Sequence, residues 1–226
     1  MKWAQQRRDR MAENEWPGII DTHVLGPEYL ASADRFADTA KVGNWDEVFR
    51  ILDSEGQLTP NQWRINGDSW CAPLHQVAWH GAPVEVVVQL IRRGAWRSLR
   101  NAAGDRPVDI ARKHGHDHLL AALGVPEIRD TEQRKHAAWD RHLADLIADR
   151  TQRLKPVRFR PVASEVIAVE PLPSMWFGYP GMYGGFNMSI EVDGLIVSSW
   201  SRVVGGSGQR HAITERGCEL VEEGFV

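Results

Sequence analysis

Three histidines at alternate positions, His114, His116 and His118, are the first residues in the chain whose type and spacing could do chemistry. Imidazole nitrogens bind zinc, and short His-rich tracts are a compositional metal signal. No cysteine lies near them, and Asp117 alone does not complete a ligand set, so no metal is expected. A second group is Gly205-Gly206-Ser207-Gly208, flanked by Arg202, Arg210 and His211. Consecutive backbone N–H groups beside Arg and His can hold an anion. The lysine, spacing and following helix of a P-loop are missing. A third is the aromatic, glycine-rich stretch from Tyr179 to Phe186. If the two glycine-rich segments meet, Tyr183, Arg202, Ser207, Arg210 and His211 line one ligand pocket. A strand connection whose glycines supply positive φ explains the same residues without a ligand. Cys218 and His211 make a nucleophile pair only if the fold joins them, and an inert buried thiol is the simpler reading. The chain has no G-x-S-x-G elbow, no H-E-x-x-H and no dinucleotide fingerprint. No catalytic residue and no cofactor is expected.

The composition sets the frame for these groups. Of 226 residues, 42% are hydrophobic and 25% charged, which is ordinary globular usage. The net charge of -3 provides no global basic field for nucleic acid or an anionic membrane. The basic run from Arg150 to Arg160 is the one local argument for nucleic acid. Two cysteines, Cys71 and Cys218, are too few for a secreted disulfide scaffold. The basic N-terminus lacks an apolar signal region, and no apolar run approaches the ~20 residues of a membrane span. A cytoplasmic protein is expected. Ten tryptophans, against three tyrosines and six phenylalanines, are an excess of the side chain favoured in cores and at interface hot spots.

Internal repetition organises the middle of the chain. Pro73-Leu74-His75-Gln76-Val77-Ala78-Trp79-His80-Gly81 aligns with Pro107-Val108-Asp109-Ile110-Ala111-Arg112-Lys113-His114-Gly115. A degenerate earlier copy runs from Arg35 to Gly43 and lacks the proline. Each copy is followed by a second segment with apolar residues at helical spacing: Trp45–Leu52, Val84–Ala95 and His116–Leu123. The stretch Ala72 to Ala95 closely resembles the ankyrin-repeat consensus, whose unit is ~33 residues. The third copy departs from it by placing Asp109 at the usual histidine, and a long insertion, Gln57 to Ile65, separates the first two. The resemblance implies a histidine at position 75 that ties neighbouring loops, glycines 81 and 115 in left-handed turns, and a stack needing caps at both ends.

Beyond the repeats, Asp130 or Thr131 can cap a helix running to about Leu154, with Trp139, Leu143, Leu146 and Ile147 on one face. A basic, proline-bounded connector, Lys155 to Pro161, follows. Phe186 to Val192 alternates as a half-buried strand, Asp193-Gly194 is a hairpin turn, and Leu195 to Val204 reads as the return strand. A third strand is expected over Arg210 to Thr214 and a short helix from Glu215 to Val226. The expected architecture is therefore mainly α: an ankyrin-repeat solenoid of about three helix-pair repeats, a bridging helix and a small antiparallel β domain, α+β overall. Its divisions are residues 1–31 (N-terminal cap), 32–125 (repeats), 126–155 (bridging or capping helix) and 156–226 (sheet).

The resemblance also places function. In ankyrin proteins the finger tips and the exposed side of each first helix contact the partner. The matching positions here are Lys41 and Val42, Trp79 and His80, and Arg112, Lys113 and His114, with fingers that add Trp70, Trp96, Arg97 and Arg100. Tryptophan and arginine are the residues that hot spots favour. The expectation is non-catalytic binding of a protein partner through the concave face, in the manner of a bacterial adaptor, inhibitor or immunity-type protein. The competing expectation is a small-molecule- or anion-binding, even enzymatic, C-terminal sheet with the repeats as a targeting arm. Membrane association is not expected, and partner identity and oligomeric state stay open.

Overall fold

The computed structural model describes residues 14–192, 194–203 and 206–224. The chain divides into two compact units, one of residues 20–126, the other of residues up to 19 together with 127 onward.

The first unit is helical. Its elements are α1 (Pro27–Lys41), α2 (Trp45–Ser54), α3 (Pro73–His80), α4 (Val84–Arg92), α5 (Pro107–Lys113), a 3-10 turn (Asp117–Leu119) and α6 (Leu120–Leu123). Pro27, Pro73 and Pro107 each open a helix, where the missing N–H removes no helical hydrogen bond. The segment Arg35 to Gly43 lacks the aligned proline, and the helix that contains its start opens instead on Pro27, about two turns earlier. Gly43, Gly81 and Gly115 follow α1, α3 and α5 with φ of 75°, 61° and 71°, a left-handed conformation that a side chain would strain. Each then leads into the second helical segment, giving three helix–turn–helix pairs.

The first helices stack in order, α1 on α3 and α3 on α5, and α4 meets α6. Their shared core holds Phe36, Val48, Ile51, Leu74, Val77, Val87, Leu90, Ala111, Leu119 and Leu123. The insertion between the first two pairs is part of this interior. Leu58 and Ile65 belong to that core, and Trp63 is buried as well. Buried Asn61 donates through Nδ2 to the Gly94 carbonyl and accepts at Oδ1 from the Trp96 N–H, both at 2.8 Å.

The second unit contains α7 (Asp130–Thr151), α8 (Ser164–Val169) and five strands: β1 (Met175–Tyr179), β2 (Gly184–Glu191), β3 (Gly194–Ser201), β4 (Ser207–Thr214) and β5 (Gly217–Gly224). The strands form one antiparallel meander in chain order. The expected turn residue Asp193 and the loop residues Val204 and Gly205 lie outside the described residues, as do residues 1–13 and 225–226. Where a terminal helix was expected, residues 217–224 are a strand. The reason is physical: β4 would otherwise expose a ladder of unpaired backbone groups, and an edge strand needs little apolar alternation. Asp130 is the first residue of α7, not its cap.

One face of the sheet buries Met175, Phe177, Tyr179, Phe186, Met188, Leu195, Val197 and Ile213. The helix α7 packs on β4, β5 and α8, with Trp139, Leu143, Leu146 and Ile147 all buried. It therefore belongs to the sheet unit and is not a separate division of the chain. The expected N-terminal cap also divides. Residues 14–19 run beside β1: Trp16 donates its N–H to the Trp176 carbonyl at 2.8 Å, and the Trp176 N–H donates to the Asn14 carbonyl at 3.0 Å. The Trp16 indole is buried, donating Nε1–H to the Arg160 carbonyl at 3.0 Å. Among the described residues no helix is long and apolar enough to cross a membrane.

Candidate functional site

In the helical unit the first helices end on a common edge. On α3, Leu74, Val77 and Ala78 turn into the core, and Trp79, one residue further round, turns out. It is 57% exposed, and its ring lies 4.2 Å, centroid to centroid, from the ring of His114 at the end of α5. At the end of α1, Lys41 is exposed and Val42 is 74% exposed. His80 sits between these ends, its Nε2 hydrogen-bonded to the Lys41 carbonyl at 2.9 Å and its ring edge-on to Trp45. Arg112 and Lys113 are exposed on α5, paired with Asp109 at 3.1 Å and Asp105 at 2.6 Å. Lys41, Val42, Trp79, His80, Arg112, Lys113 and His114 thus form a strip across the ends of three helices.

The finger residues fare differently. Trp96 is 3% exposed, so it is a core residue and not a binding residue. The buried Asn61, supplied by the segment Gln57 to Ile65, accepts the Trp96 N–H and so anchors its backbone. Arg97 and Arg100 are half-buried and donate to the carbonyls of Gly124 and Gly104 at 3.0 and 2.9 Å, which fixes their backbone surroundings. Trp70 is half-buried at φ 52°, an uncommon conformation for a side chain of its size. Of the expected partner-binding residues, Trp79, His80, Arg112 and Lys113 are exposed at the helix ends, whereas Trp70, Trp96, Arg97 and Arg100 are buried or half-buried.

The histidine run is occupied by backbone. His116 Nδ1 bonds the Ala78 carbonyl at 2.9 Å, and His118 Nε2 bonds the Ala82 carbonyl at 3.2 Å. His75 accepts from the Ala72 N–H through Nδ1 at 3.1 Å and reaches the Leu99 carbonyl through Nε2 at 3.0 Å. These rings tie one helix pair to the next. The His116 ring also fills the space at Gly81, where a Cβ would stand 2.6 Å from Cδ2. Among the described residues no group of three or more His, Cys, Asp or Glu side chains could hold a metal ion.

The expected ligand pocket does not assemble. Backbone contacts do bring the two glycine-rich segments together, through the Arg202 N–H donating to the Met182 carbonyl at 3.0 Å. Tyr183, however, is 77% exposed, and Arg202 is exposed too. Arg210 pairs with Glu191 at 2.9 Å on the outer sheet face, whereas the adjacent His211 is buried on the inner face. Burial pushes the His211 imidazole below its usual pKa, and Nδ1 has no hydrogen-bond partner. Cys218 and Cys71 are free thiols, and desolvation raises the Cys218 pKa, the opposite of nucleophile activation.

Of the five expected pocket residues, Ser207 lines a cleft in the sheet unit. This cleft of about 460 Å³ lies between the end of α7 and the β3–β4 hairpin, with Arg150, Arg153, Ser207, Gln209 and Glu223 in its walls. Arg150 opens the basic run that the sequence showed, but only the register of β3 and β4 brings Ser199 and Ser207 to it. A second polar group also escaped the sequence. His136 Nδ1 lies 3.0 Å from Ser164 Oγ, and Asp140 accepts from the Ser164 N–H at 2.8 Å. Burial raises the Asp140 pKa to about 6, against a smaller opposing effect from Ser164. Ser164 is fully buried, so this trio joins α7 to α8 and has no access to a substrate. Its i, i+4 spacing, His136 and Asp140, was visible in the sequence, but nothing pointed to Ser164. No protein-family model matches the chain.

Proposed function

We propose that residues 20–126 are an ankyrin-type stack of three helix pairs and that the protein is a non-catalytic recognition module for a protein partner. Support for the stack comes from the repeated proline start, the left-handed glycine between paired helices, and His75 bridging Ala72 to Leu99 of the next pair. The observation that carries the binding reading is the strip at the helix ends, with Trp79 at its centre, largely exposed and in tilted ring contact with His114. An exposed indole backed by an aromatic neighbour and rimmed by cations is a hot-spot arrangement. A partner of fitting chemistry presents an apolar side chain to Trp79 and Val42, and carboxylates to Lys41 and Arg112. Adaptor, inhibitor and immunity-type roles all use such a surface.

The test is capture of partners from a native lysate by the full chain and by a Trp79→Ala/Arg112→Ala double variant, followed by binding measurements on the purified pair. A stoichiometric protein partner lost in the variant is expected. The same partner set on both proteins would refute the assignment of the strip.

A further inference from the structure

Arg150 stands in the last turn of α7 and reaches into the cleft of the sheet unit. Its Nε donates to Ser199 Oγ at 3.0 Å, and Nη2 donates to Ser207 Oγ at 3.0 Å and the Ser207 carbonyl at 3.2 Å. All three acceptors are neutral, and none of the ion pairs among the described residues includes Arg150. The guanidinium is half-buried, and desolvation is the largest influence on its pKa, pushing it down. Asp149 and Glu223 favour the charged form from a distance, but neither makes an ion pair with Arg150, so this partly desolvated cation has only neutral hydrogen-bond acceptors.

The surroundings fit a small anionic ligand. The cleft, about 460 Å³, is of small-molecule size. Arg153, one turn beyond Arg150, lines it and is exposed. The acids in the walls are engaged by amides: Gln209 Nε2 donates to Glu223 at 2.8 Å, and Gln152 Nε2 donates to Asp149 at 3.3 Å. Arg150 Nη1 makes no hydrogen bond and is open to a ligand.

We propose that this cleft binds a small molecule through a single carboxylate or phosphate group, held by Arg150 at the floor and Arg153 at the mouth. Two planar N–H forks match either oxyanion. Asp149 and Glu223 repel a polyanion, which excludes a nucleic-acid strand, and they accept from hydroxyl or ammonium groups on the rest of the ligand. The site is independent of the helix-end strip and shares only Ser207 with the loop that the sequence singled out.

The test uses the full chain with three probes, inorganic phosphate, acetate and glycine, each against sodium chloride of equal ionic strength. NMR of the Arg150 side-chain N–H and thermal unfolding are the readouts. The expected result is a saturable shift of that resonance and a raised Tm with at least one probe; phosphate alone, or acetate or glycine alone, names the head group. Arg150→Lys keeps the charge but loses the fork, and weakens binding about tenfold. Because Arg150 also ties α7 to the sheet, the exposed Arg153→Gln is the control for folding, with a Tm in buffer equal to wild type and affinity reduced several-fold. No saturable shift with any probe, a shift that sodium chloride reproduces, or full binding by both variants would overturn the proposal.

Discussion

In the helical unit each helix packs on its neighbour in sequence or on the equivalent helix one pair along, and histidine rings bond the carbonyls at the joints. The sheet unit is assembled the other way: residues 14–19 lie against β1 at Trp176, and α7 packs on strands that begin more than fifty residues later in the chain. One interior is built from short-range repetition, the other from distant segments. In the proposed stack, damage passes to the neighbours at each interface, whereas in the sheet unit the sensitive points are polar groups enclosed between distant elements.

Paired glycine substitutions probe the stack most sharply. Gly81→Ala puts a methyl 2.6 Å from the His116 ring at φ 61°, and a destabilisation of about 2–4 kcal/mol is expected in urea unfolding. Gly115→Ala, at φ 71° with nothing within 4 Å of the new Cβ, bears only backbone strain and loses about 1 kcal/mol. Equal losses would mean that the His116 contact does not matter. Asn61→Ala leaves the Gly94 carbonyl and the Trp96 N–H unmatched in the interior, for about 2–3 kcal/mol in the same assay.

For the sheet unit the sharper probe is pH. Asp140 has a folded pKa of about 6, above its ordinary 3.8, so the folded state binds its proton more tightly and this group adds stability as pH falls from 6 towards 4. His136 is lowered from 6.5 by burial and by Lys135, with Glu165 and Glu132 opposing, so it subtracts stability as pH falls below 6.5. The two act in opposite directions in the wild type. Asp140→Asn keeps an acceptor for Ser164, removes the buried charge, and is expected to raise stability at pH 7.5 by about 1–3 kcal/mol. It also exposes a steeper acid loss from His136. Unfolding curves from pH 4 to 8 check both, and an unchanged profile would remove the trio as the coupled site. Trp79→Ala has the smallest effect on stability, within about 1 kcal/mol for a largely exposed side chain, and the largest on partner affinity.

The contrast also explains what could be read in advance. The helix pairs and their glycine turns were legible because the signals, proline start, 3.6-residue period and closing glycine, recur within one unit. The face of α7 was legible for the same reason, but not its membership of the sheet unit. The burial of Trp96 was not legible because its surroundings, Asn61 on its backbone N–H among them, come from residues far from it in sequence. The strand β5 carries Glu219, Glu222 and Glu223 and reads as a short helix until β4 offers it a ladder. Arg150 was one charge among many on a long helix; its solvation is set by the β3–β4 register, which no local pattern encodes.

The helix-end strip is tested most directly by a binding isotherm of the captured partner against the wild type, Trp79→Ala and Arg153→Gln. The account predicts an affinity loss of at least about tenfold for Trp79→Ala and none for Arg153→Gln. An unchanged isotherm for Trp79→Ala, with the loss falling on Arg153→Gln, would contradict it and assign partner recognition to the sheet unit.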